Sequence, residues 1–155
     1  MAYWDTSCLA KLYVPEPDSD VFQDFAARGD VIRTSTLSRL EFFVLVHRKE
    51  AEGNLRPGGA RKAVAQYDED IASNQILVVP PDAKVLVPFE AIVRQCAFRK
   101  PSLLVRTLDA LHLATAQATG ETVIVTTDKR MREAALVLGF KRMPGGDSAR
   151  QEETS

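Results

Sequence analysis

The chain has 155 residues, near the usual size of one domain, and its composition (45% hydrophobic, 26% charged) is enough for a folded core. A net charge of −1 excludes a protein that is basic throughout, and no apolar run is long enough to cross a bilayer. Cys8 and Cys96 are the two cysteines; their separation favours neither a disulfide framework nor a zinc site, and two reduced thiols indicate a cytoplasmic protein.

Short apolar runs alternate with helical patterns along the chain. The apolar runs predict strands at 2–5, 31–35, 76–79 and 123–126, with an edge strand at 140–143. Seven helices are predicted between and after them, at 8–14, 18–28, 36–52, 60–73, 82–98, 108–118 and 129–138.

Local signals set the expected helix ends. Glycines such as Gly29 and Gly53 predict stops, and Pro88 predicts a kink or a restart within the fifth helix. The expected caps are polar residues at the first turns, namely Thr6 or Ser7, Thr36, Asp82 and Thr107.

The alternation of strands and helices predicts an α/β fold with a central parallel sheet of four to five strands flanked by helices. One domain is expected over residues 1–143. From Pro144 the composition becomes polar and glycine-rich, so residues 144–155 are predicted to form a disordered tail.

Four acidic residues stand in apolar surroundings. Asp5 and Asp128 each follow a predicted strand, and the carboxyl ends of parallel strands are where working groups gather. Glu41 and Asp109 lie within strongly apolar helical patterns. A carboxylate in apolar surroundings costs several kcal/mol unless it is paired or bound to a metal, so four of them suggest a shared cation.

Hard oxygen ligands favour Mg²⁺ or Mn²⁺ over zinc. Such an ion can lower the pKa of its water and offset charge on a phosphodiester. Thr6 and Ser7 are candidates to orient Asp5, and Thr126 is a candidate to orient Asp128, although ordinary capping or strand composition explains all three at least as well. His112 lies one turn after Asp109, and we interpret it as a hydrogen-bonded helix histidine rather than a catalytic residue.

Basic residues cluster locally although the whole chain is nearly neutral. One cluster precedes Asp109 and a second follows Asp128. They can hold a phosphate backbone, and the alternative is a solvated helix face. The clusters comprise Arg94, Arg99, Lys100 and Arg106, and Lys129, Arg130, Arg132, Lys141 and Arg142.

Four motifs together resemble PIN-domain ribonucleases, and among them VapC-type toxins of toxin–antitoxin pairs. The resemblance covers about residues 1–143, and the first and third motifs are the most specific. The motifs are YWDTS at 3–7 with LAKLY at 9–13, SRLE at 38–41, LDALHLATA at 108–116, and VTTDKRM at 125–131.

The resemblance implies a Mg²⁺- or Mn²⁺-dependent endoribonuclease that uses a metal-activated water and leaves a 5′ phosphate and a 3′ hydroxyl. Asp5 and Asp109 would be the main metal ligands, with Glu41 and Asp128 completing the site and Thr126 supporting it. The partners it implies are an RNA substrate, a second copy of the chain and a cognate antitoxin. Candidate RNA-binding residues are Lys129, Arg130 and Arg106.

Two alternatives remain at this point. One is a PIN nuclease that processes RNA without any antitoxin. The other is a receiver-like or RNA-binding module that holds a metal ion without cleaving. The RNA target is not readable, because surface shape and loops decide it.

Overall fold

The computed structural model describes residues 2–28 and 31–145, and these form a single parallel sheet with helices on both faces. The strand order is β3-β2-β1-β4-β5, and every pairing is parallel. The α/β fold expected from the sequence is therefore confirmed. The strands are β1 (Ala2–Trp4), β2 (Ile32–Ser35), β3 (Ile76–Val79), β4 (Val123–Val125) and β5 (Lys141–Met143).

Helices connect the strands in chain order, and none among the described residues is long and apolar enough to span a membrane. They are α1 (Thr6–Ala10), α2 (Ser19–Ala26), α3 (Thr36–Ala51), α4 (Gly59–Ala72), α5 (Ala83–Phe98), α6 (Thr107–Ala118) and α7 (Lys129–Val137).

The sheet has a topological switch point beside its central strand. From β1 the chain moves outward in one direction through β2 and β3, and it then returns to place β4 on the opposite side of β1. The loops that follow β1 and β4 therefore diverge at the carboxyl edge of the sheet. A crevice is expected at such a point in a parallel sheet.

Strand β1 divides the core between the two faces. Side chains alternate across a strand, so Tyr3 and Trp4 point to opposite faces. Trp4 packs into the cluster that includes Phe42 and Tyr67, whereas Tyr3 packs into the cluster that includes Leu113. Burying a large apolar side chain contributes roughly 1.5–3 kcal/mol, so both layers stabilise the strand that ends directly before Asp5.

Several predicted helix ends are wrong. The side chain of Asp5, rather than Thr6 or Ser7, caps α1 by accepting a hydrogen bond from the Cys8 amide. The helix is shorter than the expected 8–14 because tighter turns follow Ala10. Ser35 caps α3 in place of Thr36.

Two further helix predictions also differ. Arg106, not Thr107, occupies the N-cap position of α6, and it makes no side-chain capping bond. Pro88 lies inside α5 without dividing it. It stands in the second turn, where it removes one backbone hydrogen bond from the helix. The cap predicted at Asp82 is confirmed.

Gly29 and the predicted tail from residue 146 onward lie outside the described residues, so the expected helix stop and disordered tail stay predictions. Cys8 and Cys96 are both free and buried. Burial raises the pKa of each thiol above its ordinary value, and for Cys8 the nearby Asp5 carboxylate adds to the effect.

Candidate active site

A cleft of about 590 Å³ opens at the carboxyl edge of the sheet, beside the switch point. All four acids singled out in the sequence line it, although they come from four different parts of the chain. They are Asp5, Glu41, Asp109 and Asp128, and the cleft also contains Thr6, Ser7, Arg106 and His112.

Asp5 and Asp128 reach the cleft because each caps the helix that follows its strand. Asp5 Oδ1 accepts a hydrogen bond of 2.8 Å from the Cys8 amide at the start of α1. Asp128 Oδ1 accepts one of 2.8 Å from the Met131 amide at the start of α7. Each capping bond therefore fixes its carboxylate at the carboxyl edge of the sheet, where the strand ends and the helix begins.

Thr126 connects these two acids. The Thr126 hydroxyl donates to Asp5 Oδ2. Thr126 Oγ1 also accepts a hydrogen bond of 3.2 Å from the Asp128 amide. Ser7 Oγ donates to Asp5 Oδ1 at 3.0 Å. Ser7 thus contacts Asp5 as expected from the sequence, whereas the Thr126 hydroxyl, expected to orient Asp128, donates to Asp5.

Glu41 is oriented by a chain of side chains from three elements. The Thr6 hydroxyl donates to Glu41 Oε2, so Thr6 supports Glu41 rather than Asp5 as expected. His112 Nε2 lies 2.9 Å from the same oxygen, and His112 Nδ1 lies 2.7 Å from the Tyr3 hydroxyl. An ionised carboxylate only accepts, so Nε2 donates to Glu41; in a neutral imidazole Nδ1 is then the acceptor, and the Tyr3 hydroxyl donates to it.

These contacts change the ionisation of Glu41. Burial alone would raise the pKa of this carboxyl, but hydrogen bonds from His112 and Thr6 outweigh burial and lower the pKa below its ordinary value. Both bonds end on Oε2. The other oxygen, Oε1, accepts no hydrogen bond from residues 2–28 or 31–145 and can therefore contact a ligand in the cleft.

Arg106 provides a positive charge among the acids. Its Nε donates to Asp109 Oδ2 at 2.7 Å, and its Nη2 donates to Asp109 Oδ1 at 3.3 Å and to Asp128 Oδ2 at 3.0 Å. The side chain remains 59% exposed while the Asp109 side chain is only 12% exposed. Arg106 therefore closes over Asp109 from the solvent side, in the cleft itself and not on a separate RNA-binding surface.

The donors of this cleft fit Mg²⁺ or Mn²⁺, because carboxylate oxygens are the ligands these ions prefer. Each carboxylate oxygen has two lone pairs, so Asp5 can bind an ion while keeping its present hydrogen bonds. Within residues 2–28 and 31–145, no three acidic, histidine or cysteine side chains are yet drawn together as an ion would require. The guanidinium of Arg106 bonds to two of the four acids instead.

Lys129 and Arg130 lie in the first turn of α7, directly after Asp128, and both are exposed. Neither residue is among those that line the cleft, and Lys129 lines a neighbouring cavity instead.

Sequence reasoning underestimated His112 and missed Tyr3. His112 is hydrogen-bonded through both ring nitrogens, as expected for a buried histidine, yet one of its partners is Glu41. The signal that was present is its spacing of three residues after Asp109, which places both on one helix face. Nothing in the local sequence marks Tyr3, because its partner is 109 residues away.

Comparison with known proteins identifies the family. The PIN-domain model matches residues 2–137. The chain belongs to the PIN-domain family. Among curated proteins, Ribonuclease VapC46 of Mycobacterium tuberculosis is 34% identical over 140 residues, covering 89% of this chain and 92% of the relative. The resemblance to VapC-type PIN domains is thereby confirmed.

Solved structures show the same PIN-domain fold. Mycobacterium tuberculosis VapC20, described as a sarcin-ricin loop cleaving toxin, superposes with a TM-score of 0.63 at 18% identity and covers 86% of this chain and 95% of its own. A toxin–antitoxin complex from Klebsiella pneumoniae gives 0.55 at 17% identity, with coverage of 83% and 87%. At these identities the likeness concerns the fold alone.

Proposed function

We propose that this PIN domain is a divalent-metal-dependent endoribonuclease and the toxin of a toxin–antitoxin pair. The observation that carries the proposal is the convergence of four carboxylates in one cleft at the switch point of a parallel sheet. The curated relatives are named ribonucleases, which supports the same reaction class. We also propose that the protein works in the cytoplasm, where an RNA substrate and an antitoxin would both be present.

Each acid has a proposed role that follows from its position. Asp5 and Asp109 are the most buried of the four and would hold the cation most directly. Asp128 and the free oxygen of Glu41 would complete the ligand set, directly or through water. When bound, Mg²⁺ or Mn²⁺ supplies positive charge for the phosphodiester and lowers the pKa of water.

The surrounding side chains would keep this arrangement rigid. Thr126 and Ser7 fix both oxygens of Asp5, and Thr6 and His112 fix one oxygen of Glu41. Preorganised ligands cost little reorganisation during the reaction. Arg106, once released from Asp109 and Asp128, would be placed to bind a phosphate oxygen of the RNA.

An antitoxin partner is supported by the surface of α3 next to the cleft. Leu40 and Val44 line the cleft, and their side chains are 63% and 64% exposed. Exposed apolar residues beside an active site are typical of a protein-binding surface. The fold is also shared with the toxin–antitoxin complex described above.

The two alternatives predict different behaviour. A PIN nuclease that processes RNA without an antitoxin would not arrest growth when expressed alone. A toxin would arrest growth, and co-expression of a neighbouring small gene would relieve the arrest. A non-cleaving module would bind RNA and metal but leave the RNA intact.

The decisive experiment compares RNA cleavage by the wild-type chain and Asp5→Asn, with Mn²⁺ or Mg²⁺ and with EDTA. Asparagine is also a good N-cap, so the substitution removes the charge of a metal ligand while α1 keeps its cap. We expect metal-dependent cleavage by the wild type and none by the variant.

Asp24→Asn is the matched control, because Asp24 is an exposed acid on α2 outside the cleft. It should cleave at the wild-type rate. Cleavage by folded Asp5→Asn at that same rate would show that the proposed site is wrong. Mapped 5′ phosphate ends would identify the RNA target.

A further inference from the structure

A second and larger cavity, of about 960 Å³, adjoins the acidic cleft on the other side of the turn after β4. Thr127 lines this cavity and the next residue, Asp128, lines the cleft, so the two depressions lie on either side of that turn. We call it the basic groove. Its charged lining residues are Lys11, Asp18, Lys129, Arg132, Glu133 and Arg142.

The acids of the basic groove are already neutralised. Asp18 pairs with Lys11 at 2.5 Å, and Lys11 also lies 3.6 Å from Glu16. Glu133 pairs with Arg99 at 3.4 Å. Both acids of the groove therefore have a cationic partner, and the lining of the groove holds four basic residues against two acidic ones.

Two cations of the groove remain available. Lys129 on α7 and Arg142 on β5 make no ion pair that the structure shows within residues 2–28 and 31–145. Arg132 has a structural role, because it donates to the carbonyl oxygens of Thr126 and Pro144, each at 3.0 Å. Arg132 thus fixes the end of β4 against the end of β5, and so fixes the spacing of the two available cations.

Apolar side chains complete the surface. Val21 on α2 and Leu136 on α7 both line the groove, and they are 40% and 57% exposed. A trough with spaced cations and apolar walls suits a strand whose phosphates and bases alternate. A site for one small anion would instead gather its donors around a single point.

We propose that the basic groove binds the phosphate backbone of the RNA strand adjacent to the bond that is cut, with Lys129 and Arg142 each contacting a phosphate. This proposal rests on the proposed ribonuclease function and extends it by stating where the strand runs. The strand crosses the turn at Thr127, from the acidic cleft into the groove.

The test measures RNA binding against salt concentration. The parent is the full chain carrying Asp5→Asn in Mg²⁺, and the probe is a fluorescent single-stranded RNA of mixed sequence read by anisotropy. Each phosphate contact with a single strand contributes about 0.7 to the slope of log K against log salt. Changing both Lys129→Gln and Arg142→Gln should therefore lower the slope by about 1.4.

Two further double variants sharpen the result. Arg61→Gln with Lys62→Gln removes the same two charges from the exposed surface of α4, away from the groove, and should leave the slope unchanged. Lys129→Arg with Arg142→Lys keeps the charges in the groove and should preserve the slope. If the charge-conserving variant keeps the slope, a lower slope in the glutamine pair comes from lost phosphate contacts and not from a change in fold.

The outcomes separate the two proposals. If the wild type cleaves RNA but Lys129→Gln with Arg142→Gln leaves the salt slope unchanged, the groove proposal is wrong. The proposed nuclease function is then unaffected. If the glutamine pair instead loses binding to polyglutamate while its RNA slope is unchanged, the groove is a site for an acidic peptide. A wild type that neither cleaves nor binds RNA overturns both proposals.

Discussion

Arg106 is the residue that most directly limits access to the acidic cleft. Its guanidinium bonds to Asp109 and Asp128, two of the proposed metal ligands. A metal ion must displace it, and exposed ion pairs contribute roughly 0.2–1 kcal/mol each. We expect Arg106→Gln to bind Mn²⁺ about two- to fivefold more tightly, as measured by electron paramagnetic resonance of free Mn²⁺.

Arg48→Gln is the control for charge alone. Arg48 also lines the cleft, but its ion pair is with Glu52, at 3.9 Å. If Arg48→Gln and Arg106→Gln raise the affinity for Mn²⁺ by the same factor, the gain comes from removing any positive charge near the acids of the cleft. Competition by Arg106 would then be ruled out.

Sequence reasoning succeeded at Asp5 and Asp128 for a physical reason. A residue that follows a buried parallel strand lies at the carboxyl edge of the sheet. Predicting the strand therefore also predicts where that residue lies. Thr6 was assigned to the wrong acid because its partner Glu41 is 35 residues away. Side-chain direction around a turn depends on packing that local sequence does not encode.

At the level of elements, a hydrogen bond between β1 and α6 orients Glu41 on α3. The Tyr3 hydroxyl donates to the buried Nδ1 of His112. We expect Tyr3→Phe to lower the free energy of unfolding by roughly 1–3 kcal/mol, because a buried acceptor loses its donor. Urea denaturation monitored by circular dichroism measures this change.

Tyr67→Phe is the matched control. The Tyr67 hydroxyl is buried but has no hydrogen-bond partner in the part of the chain that the structure describes. Its removal should leave the free energy of unfolding unchanged or slightly raised. Equal destabilisation by the two variants would mean that ring packing, and not the bond to His112, explains the effect of Tyr3→Phe.

Element prediction was accurate where a pattern was purely local. The strand β3 was predicted at its observed bounds, because an apolar run ends at two prolines. The first helix was misplaced since its cap, Asp5, had been assigned to the preceding strand. A carboxylate after a strand serves as cap and as site residue at once, and sequence alone does not separate these roles.

For the whole molecule, the three tyrosines predict the response to alkali. Burial raises the pKa of Tyr3, Tyr13 and Tyr67 above the ordinary value, and at Tyr13 the hydrogen bond to Asp70 adds to it. The unfolded chain ionises its tyrosines near the ordinary value of about 10, so stability is full below that pH and falls above it.

We therefore expect tyrosinate absorbance to rise in one step together with unfolding, when pH is increased beyond about 10. Parallel readings of ultraviolet absorbance and circular dichroism test this. Gradual ionisation at about pH 10 in a protein that keeps its native circular dichroism would contradict it.

A homodimer is the predicted assembly state. Helix α3 supports this prediction only in part, because Phe42 and Val46 are fully buried within one chain while Val44 is 64% exposed. Phe98, at the end of α5, is 84% exposed. Apolar surface of this kind is typical of subunit interfaces.

Analytical ultracentrifugation at tens of micromolar should show a dimer, and Phe98→Lys should weaken it. Leu136→Lys, in the basic groove, serves as a comparison and should leave the assembly unchanged. A wild-type chain that sediments as a monomer would argue against the dimer.

The burial of Cys8 and Cys96 has a practical consequence for spectroscopy. Both thiols are enclosed and kept protonated, and maleimides and methanethiosulfonates react with exposed thiolates. A single cysteine introduced at Leu136 would therefore take up a spin label selectively, with the native cysteines left in place. Such a label could report the arrival of an RNA strand through its own loss of mobility.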